Sequence, residues 1–150
     1  MDSMAWFKKG HKFIDSVKYE EAIDAFTKAI ELNPKFEDAY IGRGLAYGRL
    51  GKHQNVIIDC NKAIELNPKN AVAYSDRGAA YARLGKLQQA IEDYDKVIKL
   101  NPRDTVAYVS RGFVYQRLGN QKRAIKDLKI AAKLGLHSAQ DYLKSEGIQW

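Results

Sequence analysis

Residues 29–36 read AIELNPKF, residues 63–70 read AIELNPKN and residues 97–104 read VIKLNPRD, while the same register at 131–138 reads AAKLGLHS. A phrase returning at a step of 34 residues constrains the fold more than any other feature of this chain. It predicts one supersecondary unit, copied and stacked, with a continuous core built between neighbours. Sliding the chain by that step aligns Trp6, Tyr40, Tyr74 and Tyr108, then Gly10, Gly44, Gly78 and Gly112, then Phe13, Tyr47, Tyr81 and Tyr115. Further on it aligns Ala22, Val56, Ala90 and Ala124, then Phe26, Cys60, Tyr94 and Leu128, then Ala29, Ala63, Val97 and Ala131.

Within each half of a copy the large apolar residues recur at three, four or seven, the period of a helix face. Each copy is therefore two helices. Gly51, Gly85 and Gly119 follow a leucine, where a left-handed residue closes a first helix. Val17 stands in that place in the first copy, so its turn is expected to differ. The second helix stops at Asn-Pro, because the residue before proline avoids helical geometry. Asp2, Asn70, Asp104 and Ser138 are expected N-caps for the helices that follow, whereas Phe36, in the same register, cannot cap. Small residues on facing helices permit close crossing, which predicts Gly10 against Ala22, Gly78 against Ala90 and Gly112 against Ala124. Val56 departs from alanine and is expected to loosen the second hairpin.

The period, the Trp/Tyr–Gly–Tyr–Ala–aromatic–Ala–Pro order and the two-helix unit resemble the tetratricopeptide repeat (TPR) family. The resemblance covers residues 3–138. It implies an all-α fold, a right-handed α-solenoid of antiparallel helix pairs with nine helices in one domain, 1–150. The repeats fall at 3–36, 37–70, 71–104 and 105–138, with a capping helix and tail at 139–150. Comparing the copies with one another adds a pairing. Arg43, Arg77 and Arg111 share one register and Asp59, Asp93 and Asp127 another, and both change together in the first copy, to Lys9 and Ala25. This predicts an arginine–carboxylate pair that ties the two helices of a repeat, or neighbouring repeats.

The resemblance also implies that the first helices line a concave groove for an extended or helical peptide. The groove registers hold Met4, Phe7, His11, Ile14 and Asp15 in repeat 1, and Asp38, Ile41, Leu45 and Arg49 in repeat 2. They hold Val72, Ser75, Ala79 and Arg83 in repeat 3, and Val106, Val109, Phe113, Gln116 and Arg117 in repeat 4. Phe7, Ile41, Leu45, Val109 and Phe113 are expected to form an exposed apolar lining, the usual mark of a binding surface. Arg49, Arg83 and Arg117 form a ladder along its edge that can grip carboxylates. The expected partner is thus a protein or peptide, apolar with acidic residues. Some family members hold chaperone C-terminal carboxylates with a Lys/Asn/Asn/Lys/Arg clamp. Those registers here hold Phe7, His11, Gly42, Val72 and Asp76, so that ligand is not expected.

Nothing in the chain reads as catalytic. His11, His53 and His137 lack partners at metal-ligand spacing. Cys60, the only cysteine, lies in a core register. No nucleophile–base order, phosphate loop or paired carboxylate stands out. The expectation is a non-catalytic interaction scaffold with no cofactor. Two alternatives remain. Repeats 1 to 3 each carry a net charge of +1, but residues 105–138 carry +6. Lys122, Lys126, Lys129 and Lys133, with Arg123 beside them, make a stripe on one helix that is either a solvated face or a surface for an acidic protein, nucleic acid or anionic membrane. No aromatic residue interleaves with it, so base stacking is not suggested. The tail, with Ile148 and Trp150, either folds back on repeat 4 or enters another copy, and the uncapped first repeat also allows end-to-end assembly. A lone cysteine, no apolar run of membrane-spanning length and no apolar leader favour the cytoplasm.

Overall fold

The computed structural model describes residues 1–150. Its helices are α1 (Ser3–Asp15), α2 (Tyr19–Leu32), α3 (Glu37–Arg49), α4 (His53–Leu66), α5 (Ala71–Arg83), α6 (Leu87–Leu100), α7 (Thr105–Arg117), α8 (Gln121–Lys133) and α9 (His137–Ser145). There is no strand. Each helix packs on the next, and the odd-numbered helices also touch one another in sequence, α1 to α3 to α5 to α7. One wall of the stack is therefore made of odd helices alone. This is the all-α solenoid of nine helices that the repeat predicts.

Two kinds of turn alternate. The first closes each odd helix. Gly51 has φ 71°, its N–H donates to the Gly48 carbonyl at 3.0 Å, and the Lys52 N–H donates to the Tyr47 carbonyl at 2.9 Å. This reciprocal pair satisfies carbonyls that the helix end would leave free. The turn at Val17 does not differ, contrary to expectation. Val17 itself takes φ 59°, and the Lys18 N–H reaches the Phe13 carbonyl at 2.8 Å. A β-branched residue held there costs about 1–2 kcal/mol. Glycine would release that strain but lose about 0.5–1 kcal/mol to its freer unfolded chain. Val17→Gly should therefore raise the melting temperature by about 2 °C, read by thermal circular dichroism. A lower melting temperature would show that the Val17 side chain is holding something in place.

The second turn is the repeated phrase, and its letters divide the work. The Asn33 side-chain oxygen accepts from the Lys35 N–H at 3.1 Å, Asn67 from Lys69 at 3.0 Å and Asn101 from Arg103 at 3.2 Å. These local bonds compete with the helix and end it. The carbonyls of Pro34, Pro68 and Pro102 accept from the hydroxyls of Tyr40, Tyr74 and Tyr108 at 3.1–3.3 Å, which fixes the next helix against the turn. Asp2, Asn70 and Asp104 cap α1, α5 and α7 through their side chains. Glu37, at the start of α3, instead accepts from the side-chain amides of Asn67 and Asn70.

AAKLGLHS breaks the phrase because it spells the other turn. Gly135 has φ 96° and the Leu136 N–H donates to the Ala131 carbonyl at 3.0 Å, as at Gly51. So α9 starts at His137 with Leu136 in the cap position, and Ser138 is not the N-cap it was expected to be. The early start also displaces the register of α9. Leu143 is fully buried, whereas Tyr142, 34 residues after the buried Tyr108, lies 38% exposed. Leu143 and Ala139 cover Tyr108, Ala131 and Ala132, with Ile148 packed against them. Ile148 thus folds back on repeat 4, but Trp150 stays 42% exposed.

The core is a chain of small clusters between successive helices. Phe26 is its largest fully buried side chain. Its ring, and not Ala22, lies closest to Gly10: a β-carbon there would sit 2.6 Å from the ring, and so would one at Gly42 on α3. Gly78 likewise meets Tyr94 at 3.3 Å and Asp93 at 3.2 Å, not Ala90. Only Gly112 faces its expected partner, the Ala124 carbonyl, at 3.4 Å. The small registers make room for the aromatic one turn further on. Val56, where alanine was the pattern, is buried and meets Gly48, where a β-carbon would lie 3.6 Å away.

The arginine–aspartate register forms three bidentate pairs. Nε and Nη2 of Arg43, Arg77 and Arg111 donate to the two oxygens of Asp59, Asp93 and Asp127 at 2.6–2.9 Å. Each pair ties the helices of its own repeat. The remaining Nη1 donates backwards, from Arg43 to Thr27, from Arg77 to Asn61 and from Arg111 to Asp95. One guanidinium thus serves both alternatives that the sequence left open. Each also lies over the tyrosine three residues before it, at 5.5–5.8 Å.

Candidate functional site

The candidate groove registers all lie on odd helices, so the stack brings them to one wall. Along each helix they form a stripe. Met4, Asp38, Val72 and Val106 open the stripe and are exposed. Phe7, Ile41, Ser75 and Val109 come next and are half-buried, because this register leans on the neighbouring repeat. Phe7 packs among Phe26, Phe36 and His11 with centroids 4.6–5.8 Å apart, Ile41 packs beside Tyr40, and Val109 packs against the cluster under α9. The expected lining of five exposed apolar residues therefore narrows to Leu45, 38% exposed, and Phe113, 59% exposed. Leu45 and Phe113 share the next register with His11 and Ala79, and all four are exposed. Ile14 is half-buried in the first cluster, and Gln116 is exposed. Arg49, Arg83 and Arg117, a turn beyond, are exposed.

Hollows separate neighbouring odd helices. Leu45, Arg49, His53, Asp76, Ala79 and Arg83 line one of about 240 Å³ between α3 and α5. Ala79, Arg83, Ser110, Phe113 and Arg117 line one of about 210 Å³ between α5 and α7. Val109, Phe113, Gln116, Ser138 and Tyr142 line a third, also about 210 Å³, between α7 and α9. Ala79, Arg83 and Phe113 each serve two hollows, so the wall is one continuous surface. His53, Ser110, Ser138 and Tyr142 were not anticipated on it. His53 sits at the start of an even helix, and Ser138 and Tyr142 arrive only through the displaced register of α9.

The charges on this wall are unpaired. The ion pairs of the molecule involve Arg43, Lys62, Arg77 and Arg111, and none involves Arg49, Arg83 or Arg117. Arg117 donates to the Ala82 carbonyl at 2.6 Å, which fixes its arm across the α5–α7 hollow. Asp76 is half-buried with no ion-pair partner, and burial pushes its carboxyl up to about 6. The basic stripe lies elsewhere, on the outward face of α8. Lys122, Arg123, Lys126 and Lys133 are exposed and Lys129 is half-buried, around a shallow trough with Ile125 and Ile130. Arg123 lies over Tyr115 at 5.4 Å.

No group of three His, Cys, Asp or Glu gathers as metal ligands would. Cys60 is fully buried, and burial pushes its thiol well above the usual range, so it packs as an apolar side chain. No helix is long and apolar enough to cross a membrane.

The family described as tetratricopeptide repeat matches residues 37–70 and 71–104, and again 93–126, and a TPR repeat description matches residues 10–51. A protein of Methanocaldococcus jannaschii is 39% identical over 49 residues, which is 33% of this chain and 57% of that relative, so the match spans little more than half the relative's length. Among solved structures, the first TPR domain of Spaghetti (RPAP3), bound to the HSP90 peptide SRMEEVD, is 36% identical, with a TM-score of 0.77 over 79% of this chain and 94% of that one. MamA is 30% identical, with a TM-score of 0.86 over 92% of this chain and 81% of that one. With the 34-residue hairpin, its two alternating turns and these matches together, this chain belongs to the tetratricopeptide repeat family.

Proposed function

We propose that the chain is a non-catalytic scaffold that holds a peptide or partner segment along the wall of odd helices. The observation that carries this reading is the row Arg49, Arg83 and Arg117, one in each of repeats 2 to 4, with no carboxylate of the chain paired to it. Exposed Leu45 and Phe113 sit a turn away on the same helices. Such a surface suits a segment with apolar anchors and spaced acidic residues. The buried thiol of Cys60 suits a reducing compartment, the cytoplasm.

The relative from Spaghetti holds a chaperone peptide, SRMEEVD. The registers of the carboxylate clamp here hold Phe7, His11, Gly42, Val72 and Asp76. Gly42 is filled over by the Phe26 ring, and Asp76 brings a carboxylate to the wall. A different ligand is the better reading.

The test uses peptides selected from a random display library against the purified chain. Phe113→Asp should weaken the selected peptides more than tenfold by fluorescence anisotropy, and Arg83→Glu should do so for those that carry acidic residues. Both residues are exposed, so helix content should not change. Unchanged affinity in both variants moves the site off this wall.

A further inference from the structure

Asp76 is a half-buried charged residue of the wall to which the groove reading gives no role. It sits on α5 and lines the hollow between α3 and α5. Arg49 and Arg83 line the same hollow but extend into solvent, whereas Asp76 is recessed and half-buried. No lysine, arginine or histidine lies within ion-pair distance of it. Leu45, Val56, Ala79 and Ala80 line the hollow with it, beside Gly44, Gly48 and the basic side chains of Arg49, His53 and Arg83. Its register-mates are Lys8, Gly42, Ser110 and Lys144, so no other repeat places an acid there. A recessed carboxylate without a cation is costly to the fold, and this one has aliphatic walls leading to it.

We propose that this hollow reads one basic side chain of the bound segment, a lysine or arginine whose head pairs with Asp76. The proposal rests on the groove reading above. The aliphatic walls suit the methylene stem of such a side chain, and about 240 Å³ is room for one. Arg49 and Arg83, nearer the solvent, then meet acidic residues on either side of it. The preferred segment has a basic residue flanked by acidic ones, a pattern that a uniformly basic wall would reject.

Asp76 also titrates in a useful range, with its carboxyl pushed up to about 6 by burial. The groups that face it are Arg49 from α3, His53 and Cys60 from α4, Arg83 from its own helix and Tyr94 from α6. Because its folded value is raised above the ordinary 3.8, its charge opposes folding in full above about 6, and that penalty fades as pH falls from there to about 4. Asp76→Asn should therefore melt higher than the wild type at pH 7.5 and level with it at pH 4. A carboxylate that served the fold would show the reverse at pH 7.5.

The deciding experiment is a random-peptide display selection run on the wild type and on Asp76→Asn at pH 7.5. Expected is one position enriched in lysine or arginine on the wild type, with that enrichment lost on the variant. The wild-type peptides should bind the variant at least tenfold more weakly. Three results overturn the proposal. Peptides that depend on Arg83 and Phe113 yet show no basic position leave the groove intact and remove the role of Asp76. A basic position that persists on the variant does the same. No enriched peptide at all removes the groove reading and this proposal with it.

Discussion

Asp93→Ala should lower the melting temperature by roughly 10 °C, the effect of an arginine left buried without its carboxylate. Asp93 is 4% exposed and takes both hydrogen bonds of the Arg77 fork, at 2.9 and 2.7 Å. Removing one partner of a buried pair costs about 3–5 kcal/mol. Arg77 retains some water, with 19% of its side chain exposed, which brings the figure nearer 3 kcal/mol. At about 2–4 °C per kcal/mol for a chain of this size, that is the expected shift. The neighbouring repeats supply the control. Arg111 also pairs with Asp95 at 2.5 Å, so Asp127→Ala leaves it a carboxylate and should cost less than Asp93→Ala. Arg43 has only the Thr27 hydroxyl to fall back on, so Asp59→Ala should cost at least as much. The measurement is thermal unfolding of the three variants. Equal losses in all three would show that the third hydrogen bond is idle.

Phe26→Ala should be as damaging, for a different reason. The ring is fully buried and fills the space between Gly10 and Gly42, so nothing nearby can relax into the void. Buried phenylalanine to alanine costs about 3–5 kcal/mol, the upper end where the site cannot collapse. Because repeats touch only their neighbours, the damage should concentrate in α1 to α3, and the urea transition should broaden as well as shift. Gly42→Ala should also destabilise, since its new methyl would lie 2.6 Å from the ring, and Phe26→Leu should rescue it. A loss below about 1 kcal/mol in Phe26→Ala, the size of one methylene, would mean that the two glycines do not confine the ring.

The architecture was legible because each repeat is a separate copy of the same statement. Four spellings of one unit average out local noise, and the joint change to Lys9 and Ala25 exposed a salt bridge without any coordinates. What escaped was whatever one copy does alone. Glycine is the usual occupant of the place that Val17 holds, yet valine takes the same left-handed geometry there. Register makes Ser138 a cap, but Leu134-Gly135 spells the other turn, its glycine three residues earlier. The candidate groove was half legible. Register placed its residues on one wall, but not how deeply Phe7, Ile41 and Val109 sink between repeats. Asp76 was seen only as the wrong sign for a known clamp. That no cation lies within ion-pair distance of it is a matter of three-dimensional geometry, which spacing along the chain does not carry.

The backward reach of the three arginines gives the stack a direction. The acceptor offered by the preceding repeat is a hydroxyl at Thr27, an amide at Asn61 and a carboxylate at Asp95. The guanidinium donor is charged in all three, but only at Asp95 is the acceptor charged as well, so the seam before the last repeat is the tightest. Repeat 1 has no such arginine and carries the strained Val17, while α9 seals the opposite end. Local opening should therefore begin at α1 and travel inward, and amide exchange should slow from the first hairpin to the last. The hollow that holds Asp76 lies midway along that gradient. A ligand that spans it would clamp the looser half of the molecule to the firmer one.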